Sequence, residues 1–320
     1  MAFRYGRLED TIVDVIRESV EGKDVGIAFS GGLDSGLVAA ISKRYADSVN
    51  LYTCGTNNAF DVCMAKDLSE KLELPWTHVQ ISKGNIEGFL REMIAATDES
   101  DPFTLSYELQ LFCVCRASGE DYILTGQGAD EYFMGCAKFV DQSDEDYDVL
   151  NKAAVERLIN VSVPCEKKIA AHFGKGISYP YMHPSVTAEV AKLDPEDLRP
   201  KDMDSRKAVL KAIATDLGYP FIAGRKKKSS QYGSGTTDLV RALAREKDMM
   251  YNEYMAYLYD EVSGRMPSKN KDAVYARIDP ILKASAETIL YRQGLSPSKA
   301  VEMFYRRIVE DEGLQSVQKR

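Results

Sequence analysis

The strongest chemical signal in the sequence is a run of small and polar residues at positions 30–35, Ser-Gly-Gly-Leu-Asp-Ser, directly after the apolar residues 25–29. Two adjacent glycines allow a tight turn and a close approach of the backbone to a ligand. A helix beginning after them would present free N–H groups and the positive end of its dipole. Hydroxyl donors from Ser30 and Ser35 complete a predicted phosphate-binding loop. The alternative is an ordinary strand-to-helix turn in which Asp34 caps the helix.

A second run at positions 123–135, Ile-Leu-Thr-Gly-Gln-Gly-Ala-Asp-Glu-Tyr-Phe-Met-Gly, repeats this arrangement of buried strand, glycine turn and helix. Carboxyl ends of parallel strands meet at one edge of a sheet, so Asp34 and Asp130 are predicted to face one cavity. Mg²⁺ prefers one or two carboxylates together with phosphate oxygens and water. Asp130 and Glu131 could instead be ordinary acidic residues that favour a helix start.

Periodicity elsewhere predicts the elements that position these runs. Apolar residues at helical spacing predict an amphipathic helix over 8–20, and apolar runs predict strands at 25–29, 50–54, 76–81 and 121–125. Alternating strands and helices indicate an α/β fold with a doubly wound parallel sheet. The strand signal fades after about residue 140. We therefore predict an α/β core over residues 1–140, including the N-terminal helix, and a mainly helical part over residues 141–320.

Charge and cysteine usage restrict the class of protein. The chain has 49 acidic and 41 basic residues, a net charge of −8, which is unusual for a general nucleic-acid binder. Residues 201–320 hold 22 basic and 16 acidic residues, +6, which would suit an anionic ligand or a solvated surface. The 6 cysteines form no Cys-x-x-Cys pair, and their mostly apolar flanks predict buried, reduced thiols, which favours a reducing, cytoplasmic location. No signal-peptide or membrane-spanning segment is expected.

Together these motifs resemble those of the asparagine synthase family, within the ATP-pyrophosphatase (adenine nucleotide α-hydrolase) enzymes. Residues 30–35 resemble the family's pyrophosphate loop, and residues 123–135 resemble its Ser-Gly-Glu-Gly-Ser-Asp-Glu motif. Lys207 and the Arg-Lys-Lys run at 225–227 resemble its lysine helix and basic loop. The similarity extends over about residues 23–235 and implies a sheet of about five strands.

The resemblance implies a ligase that splits ATP to AMP and pyrophosphate, adenylates a carboxylate and forms an amide with ammonia or an amine. ATP and Mg²⁺ are the implied cofactors. Lys207, Asp34 and Asp130 are the implied catalytic residues, and the two aspartates are the implied metal ligands. The implied ATP- and pyrophosphate-binding residues are Ala28, Ser30, Gly31, Gly32, Asp34, Ser35, Cys54, Thr125, Gly126, Gln127, Gly128, Arg225 and Lys227. The C-terminal part is thus predicted to contribute Lys207 and the basic loop 225–228 to the same site.

The sequence departs from the family where the second substrate should bind. Gln127 replaces a glutamate that the family uses to help deprotonate the attacking amine, and glutamine is not a base. The chain reaches its first loop by residue 30 without a preceding glutaminase. Ammonia is therefore expected to arrive free or from a separate glutaminase subunit. A homo-oligomer is compatible with the sequence, whereas a membrane or nucleic-acid partner is not expected.

Two other functions are considered beside the amide-forming ligase. One is an enzyme that adenylates a base carbonyl in tRNA, which the basic C-terminal part permits but the acidic total disfavours. The other is a nucleotide-binding regulator without catalysis, for which retention of Asp34, Asp130 and Lys207 would be unnecessary.

Overall fold

A single parallel sheet forms the centre of the structure, a computed structural model that describes residues 3–225, 233–264, 274, 276–311 and 313. Its strands are β1 Asp24–Ala28, β2 Ser48–Gly55, β3 Trp76–Gln80, β4 Tyr122–Leu124 and β5 Gly176–Ser178. They lie in the order β3-β2-β1-β4-β5, and all four pairings are parallel. The α/β class and the parallel sheet predicted from the sequence are confirmed.

The fifth strand lies beyond residue 140, where helices and loops are predicted. β5 is only 3 residues long and pairs with β4, with Gly176 opposite Tyr122. A strand this short carries no detectable alternation, and its glycine has low strand propensity. The sheet therefore includes residues on both sides of position 140, while the two-part division of the chain stays a prediction.

Helices connect the strands and follow the last strand as far as Glu310. In chain order they are α1 Gly6–Val20, α2 Leu33–Ser42, α3 Phe60–Leu72, α4 Ile86–Thr97, α5 Pro102–Ala117, α6 Ala129–Tyr132, α7 Asp144–Arg157, α8 Val163–His172, α9 Pro184–Val190, α10 Pro195–Leu198, α11 Ala208–Asp216, α12 Pro220–Ala223, α13 Thr236–Glu246, α14 Tyr251–Val262, α15 Pro280–Arg292 and α16 Pro297–Glu310. In the part of the chain that the structure describes, none of them is long and apolar enough to span a membrane.

Both faces of the sheet are covered, as expected for a doubly wound fold. Side chains alternate between the faces along each strand. Ile27 therefore joins one hydrophobic core with α1, α2, α9 and α11, whereas Tyr52 joins the other with α4, α5 and α8. The α1 helix forms here because Leu8, Ile12, Val15, Ile16 and Val20 recur at helical spacing and are all buried.

The reversal in strand order creates a crevice beside β1. β2 and β4 flank β1 on opposite sides, so the loops after β1 and β4 leave the same edge of the sheet next to each other. Ligands bind at such switch points because the two loops diverge and leave an open crevice. The glycine-containing runs 30–35 and 123–135 meet at this crevice.

The cysteines agree in part with the sequence-based prediction. All 6 thiols are free, and Cys54, Cys113, Cys115 and Cys165 are buried as predicted. Cys63 is exposed and Cys136 is half-buried, so the prediction of burial is wrong for these two. Cys63 lies on the solvent side of α3, the helix whose buried side carries Val62 and Ala65.

Candidate active site

The loop after β1 is shaped by its glycines and serines. Gly31 has a φ of +67°, and a Cβ added there would lie 2.4 Å from the backbone nitrogen of Ala65 in α3. Only glycine fits this combination of backbone angle and contact. The Oγ atoms of Ser30 and Ser35 lie 3.2 Å apart at the start of α2. The loop is therefore held tightly around its hydroxyls, as a predicted phosphate cradle requires.

Arg225 links this loop to α3 through hydrogen bonds. Its Nε donates to the Gly31 carbonyl oxygen at 2.6 Å, its Nη1 contacts Asp67 Oδ2 at 2.7 Å, and its Nη2 donates to the carbonyl of Met64. The side chain is 5% exposed. In this structure Arg225 joins the loop to α3, so it acts as a positioning residue. Direct phosphate binding by Arg225 stays a prediction, and Lys227 lies outside the described residues.

The loop after β4 packs directly on the first loop. A Cβ at Gly126 would lie 2.9 Å from Asp34 Cβ and 3.0 Å from the Ser35 nitrogen. Gly128, with a φ of +89°, would bring a Cβ to 2.4 Å from Met182 Cγ. The glycines of this turn thus allow two loops from distant parts of the sequence to touch, which brings Asp130 close to Asp34.

Lys207 connects the two predicted carboxylates. Its Nζ lies 2.6 Å from Asp34 Oδ2 and 2.7 Å from Asp130 Oδ1, and the residue is 5% exposed. The sequence pattern predicts Lys207 within a helix. In the structure it lies immediately before α11, with a left-handed φ of +56°. Lys207 and Asp34 are buried and Asp130 is half-buried, and the three charges form a cluster at the switch point, which we call the Asp-Lys-Asp cluster.

Gly135 makes room for this cluster. A Cβ at Gly135 would lie 1.9 Å from Asp130 Oδ1 and 2.0 Å from Lys207 Cε. The neighbouring Arg206 donates from Nη1 to the Gly135 carbonyl oxygen at 2.9 Å. The backbone at Gly135 therefore forms one wall of the Asp-Lys-Asp cluster.

A cavity opens in front of the two loops, with a free volume of about 860 Å³ including the part open to solvent. The predicted site residues that line it are Ala28, Ser30, Asp34, Ser35, Cys54, Thr125, Gly126, Gln127 and Asp130. The cavity walls do not include Gly31, Gly32, Gly128, Lys207 or Arg225, which lie in or behind the loops. The structure thus brings most of the predicted residues together.

The donor set suits Mg²⁺ with bound phosphate. Asp34 and Asp130 both contact one ammonium group, so their oxygens already converge on a single positive charge. Two carboxylates with phosphate oxygens are a preferred environment for Mg²⁺. Within the described ranges, no cluster of three His, Cys, Asp or Glu side chains forms a metal site by itself. A metal at this position would accordingly depend on phosphate ligands.

Cys54 lines the cavity as an unreactive wall. The adjacent Cys113 thiol and burial raise the pKa of the Cys54 thiol well above its ordinary value. The thiolate is the reactive form of cysteine. Cys54 is therefore a small part of the pocket wall and not a nucleophile.

The cavity residues that sequence reasoning missed include two buried carboxyls, Glu108 on α5 and Glu166 on α8. They are 2% and 3% exposed. Burial, followed by the charge of Glu166, raises the pKa of Glu108 well above its ordinary value. Burial raises the pKa of Glu166 to about 7, although Tyr179 and Glu108 beside it favour its ionised form. For Glu108, the available signal was its position in the mostly apolar run 105–115 of α5, where a carboxyl would be buried.

The raised pKa of Glu166 predicts a pH-dependent stability. Between about pH 4.5 and 7 the folded protein retains a proton that the unfolded chain releases, so this residue lowers stability as pH rises through that window. Glu166→Gln removes the ionisable group. We expect its melting temperature relative to wild type to be higher at pH 8 than at pH 5 by calorimetry. Glu145→Gln on the exposed side of α7 is the control, and a pH-independent difference for Glu166→Gln would contradict the expectation.

Comparison with known proteins bears on the part of the chain that carries both loops. The family model for asparagine synthase matches residues 7–160. These residues form an asparagine synthase domain. The matched region includes β1 to β4, Asp34 and Asp130, whereas Glu166, Lys207 and Arg225 lie beyond it.

Relatives extend the similarity past this asparagine synthase domain. A putative glutamine-hydrolysing asparagine synthetase of Methanocaldococcus jannaschii is 27% identical over 281 residues, 75% of this chain and 51% of the relative. The carboxyethyl-arginine β-lactam synthase of Streptomyces clavuligerus is 27% identical over 213 residues, 66% of this chain and 40% of the relative. The chain thus spans about half the length, or less, of these two relatives.

Among solved structures, NMN synthetase from Francisella tularensis is similar at 15% identity and a TM-score of 0.40. The alignment covers 91% of this chain and 94% of the other.

Proposed function

We propose that this chain is an ATP-dependent ligase that releases AMP and pyrophosphate, adenylates a substrate carboxylate and forms an amide with ammonia or an amine. The observation that carries the proposal is the Asp-Lys-Asp cluster, placed between two glycine loops at the edge of the cavity. An asparagine synthase domain and relatives named as an asparagine synthetase and a β-lactam synthase support it.

The geometry suggests how the first step would proceed. ATP would bind with its β- and γ-phosphates against residues 30–35, whose backbone N–H groups and hydroxyls stabilise negative charge. An oxygen of the substrate carboxylate would attack the α-phosphorus. The bond from that phosphorus to the bridging oxygen would break, and its electron pair would leave with pyrophosphate.

Asp34, Asp130 and Lys207 have distinct proposed roles in this step. The two carboxylates would hold Mg²⁺, which neutralises phosphate charge when bound. Lys207 pairs with both carboxylates in this structure and would turn its ammonium group towards the departing pyrophosphate. A positive group positioned where charge develops stabilises the transition state.

The products of ATP turnover test this proposal. The protein is incubated with Mg²⁺, ATP, ammonium and a panel of amino acids and other carboxylates, and the nucleotides are separated by chromatography. We expect AMP and pyrophosphate, and ATP–pyrophosphate exchange should identify the activated acid. ADP as the main product would refute the assignment. Release of AMP that requires added tRNA would favour the nucleic-acid-modifying alternative.

Substitution of each carboxylate tests the proposed metal ligands. Asp34→Asn and Asp130→Asn should each remove nearly all ATP turnover and retain the fold, because an amide supplies no negative charge to a cation. Asp10→Asn on the exposed side of α1 is the control. Turnover and circular dichroism are measured together. Wild-type activity in either site variant would show that the carboxylate in question does not hold the metal.

A further inference from the structure

Two buried carboxyls form a second acidic cluster on the cavity wall away from the glycine loops. Glu108 projects from α5 and Glu166 from α8, and both line the same cavity as Asp34 and Asp130. Glu108 Oε1 and Glu166 Oε2 are fully buried and have no hydrogen-bond partner of good geometry, although the two carboxyls contact each other and the Tyr179 hydroxyl lies beside Glu166. An unsatisfied buried carboxylate oxygen costs free energy unless a donor reaches it. These oxygens therefore mark a position for a ligand that donates hydrogen bonds.

Other groups around the pair make this end of the cavity negative or neutral. Tyr179 lies beside Glu166, and Glu131 adds a nearby negative charge. The thiols of Cys115 and Cys165 are also close, and burial raises the pKa of both, Cys115 to about 12. The positive charge of Arg157 lowers the pKa of Glu108. The Arg157 Nη2 donates to Thr104 Oγ1, and its guanidinium stacks on Phe103. A cationic ligand would offset this charge.

The pair has the protonation state needed to receive such a ligand. Burial and the charge of Glu166 favour the protonated form of Glu108, whereas Glu166 has a pKa of about 7. Near pH 7 about half of the Glu166 carboxyls are ionised, and these can accept a proton from an ammonium group. A proton acceptor works best when its pKa is near the working pH. Gln127, in the loop after β4, cannot supply this function because an amide does not titrate.

We propose, building on the ligase function proposed above, that Glu108 and Glu166 form the binding site for the amine substrate, an ammonium or alkylammonium ion, and that Glu166 accepts its proton. The cation would occupy the end of the cavity between α5 and α8. The acyl-adenylate would form beside the Asp-Lys-Asp cluster. Glu166 is thus assigned a catalytic role and Glu108 a positioning role.

The chemistry of the second step follows from this placement. Glu166 takes one proton from R–NH₃⁺ and leaves a neutral nitrogen with a free electron pair. That pair forms the C–N bond at the acyl carbon of the adenylate. The bond from the acyl carbon to the AMP oxygen then breaks, and its electrons leave with AMP. The second nitrogen proton passes to solvent, and amide, AMP and protonated Glu166 remain.

Binding of a probe cation tests the site without knowledge of the acid. The side-chain carboxyls of glutamate are labelled with ¹³C, and the signals of Glu108 and Glu166 are assigned with Glu108→Gln and Glu166→Gln. Methylammonium chloride is titrated at pH 7 in the absence of ATP, with potassium chloride at equal ionic strength as the control. We expect a saturable shift of both signals only with methylammonium, and at least about 10-fold weaker binding by Glu166→Gln, a loss of roughly 1.4 kcal/mol. The exposed Glu145→Gln should bind as wild type.

Kinetics then separate this inference from the ligase proposal. For the acid identified by exchange, the ratio of amide formation to ATP–pyrophosphate exchange should fall on the order of 100-fold in Glu166→Gln. Hydroxylamine, which is neutral at pH 7, should restore product formation because it needs no initial deprotonation. Absence of exchange in the wild-type protein would refute the ligase proposal alone. Absence of saturable methylammonium binding, or equal binding by Glu166→Gln, would overturn the amine site.

Discussion

Lys207→Ala is expected to lower the rate of ATP–pyrophosphate exchange by on the order of 100-fold or more, while ATP binding stays within a few-fold of wild type. The ammonium group of Lys207 is buried between Asp34 and Asp130, two carboxylates that line the cavity. Its interaction should be strongest as negative charge builds on pyrophosphate. An interaction that strengthens in the transition state affects the rate more than binding.

Removal of this lysine also takes the ammonium partner from the buried Asp34 and the half-buried Asp130. Loss of one member of a buried ion pair costs about 3–5 kcal/mol of stability. We therefore expect a lower melting temperature for Lys207→Ala, which Mg²⁺ should partly restore if the carboxylates bind it. Lys207→Gln, which retains length and hydrogen-bond donors, serves as a second variant if the alanine protein does not fold.

Exchange rate, ATP dissociation constant and melting temperature are measured on the same preparations. Lys211→Ala is the matched control because it removes the same charge from α11, where Lys211 donates to the carbonyl of Asp204 outside the cavity. Abolished ATP binding with an intact rate for bound ATP would show that Lys207 serves in binding. Equal losses of exchange rate in Lys207→Ala and Lys211→Ala would show that Lys207 has no specific role in catalysis.

Gly135→Ala is expected to reduce turnover by on the order of 100-fold through displacement of the Asp-Lys-Asp cluster. The added Cβ would fall 1.9 Å from Asp130 Oδ1 and 2.0 Å from Lys207 Cε, distances at which atoms overlap. Lys207 is constrained by its left-handed backbone, and Asp130 by the turn before it. The cluster must shift, and small misplacements of catalytic groups have large effects on rate.

Gly88→Ala provides the matched control. Gly88 lies in α4, where an added Cβ would have no neighbour within 4 Å. Alanine should there raise stability by about 1 kcal/mol through helix propensity and leave turnover unchanged. Turnover and thermal unfolding are measured for both variants. Full activity in a folded Gly135→Ala protein would mean that the close packing around Lys207 is not needed for catalysis.

The sequence by itself determined the two glycine loops, the parallel sheet and the positions of Asp34 and Asp130 at the ends of β1 and β4. These features are local, because a buried strand, a glycine turn and a helix start all occur within about a dozen residues. Residues at the carboxyl ends of adjacent parallel strands must meet. The strand pattern before each glycine turn and the helix pattern after it were therefore sufficient to predict that the two loops converge.

Only the tertiary structure decided which distant side chains complete the site. Lys207 lies 173 residues from Asp34 and contacts it because α11 packs near α2, and only the family resemblance had indicated Lys207. The guanidinium of Arg225 turned towards Gly31 and α3. Glu108 and Glu166 came together because α5 packs on α8, a contact that no periodicity encodes. Periodicity specifies which face of an element is buried, whereas the neighbour that covers this face depends on how all the elements pack together.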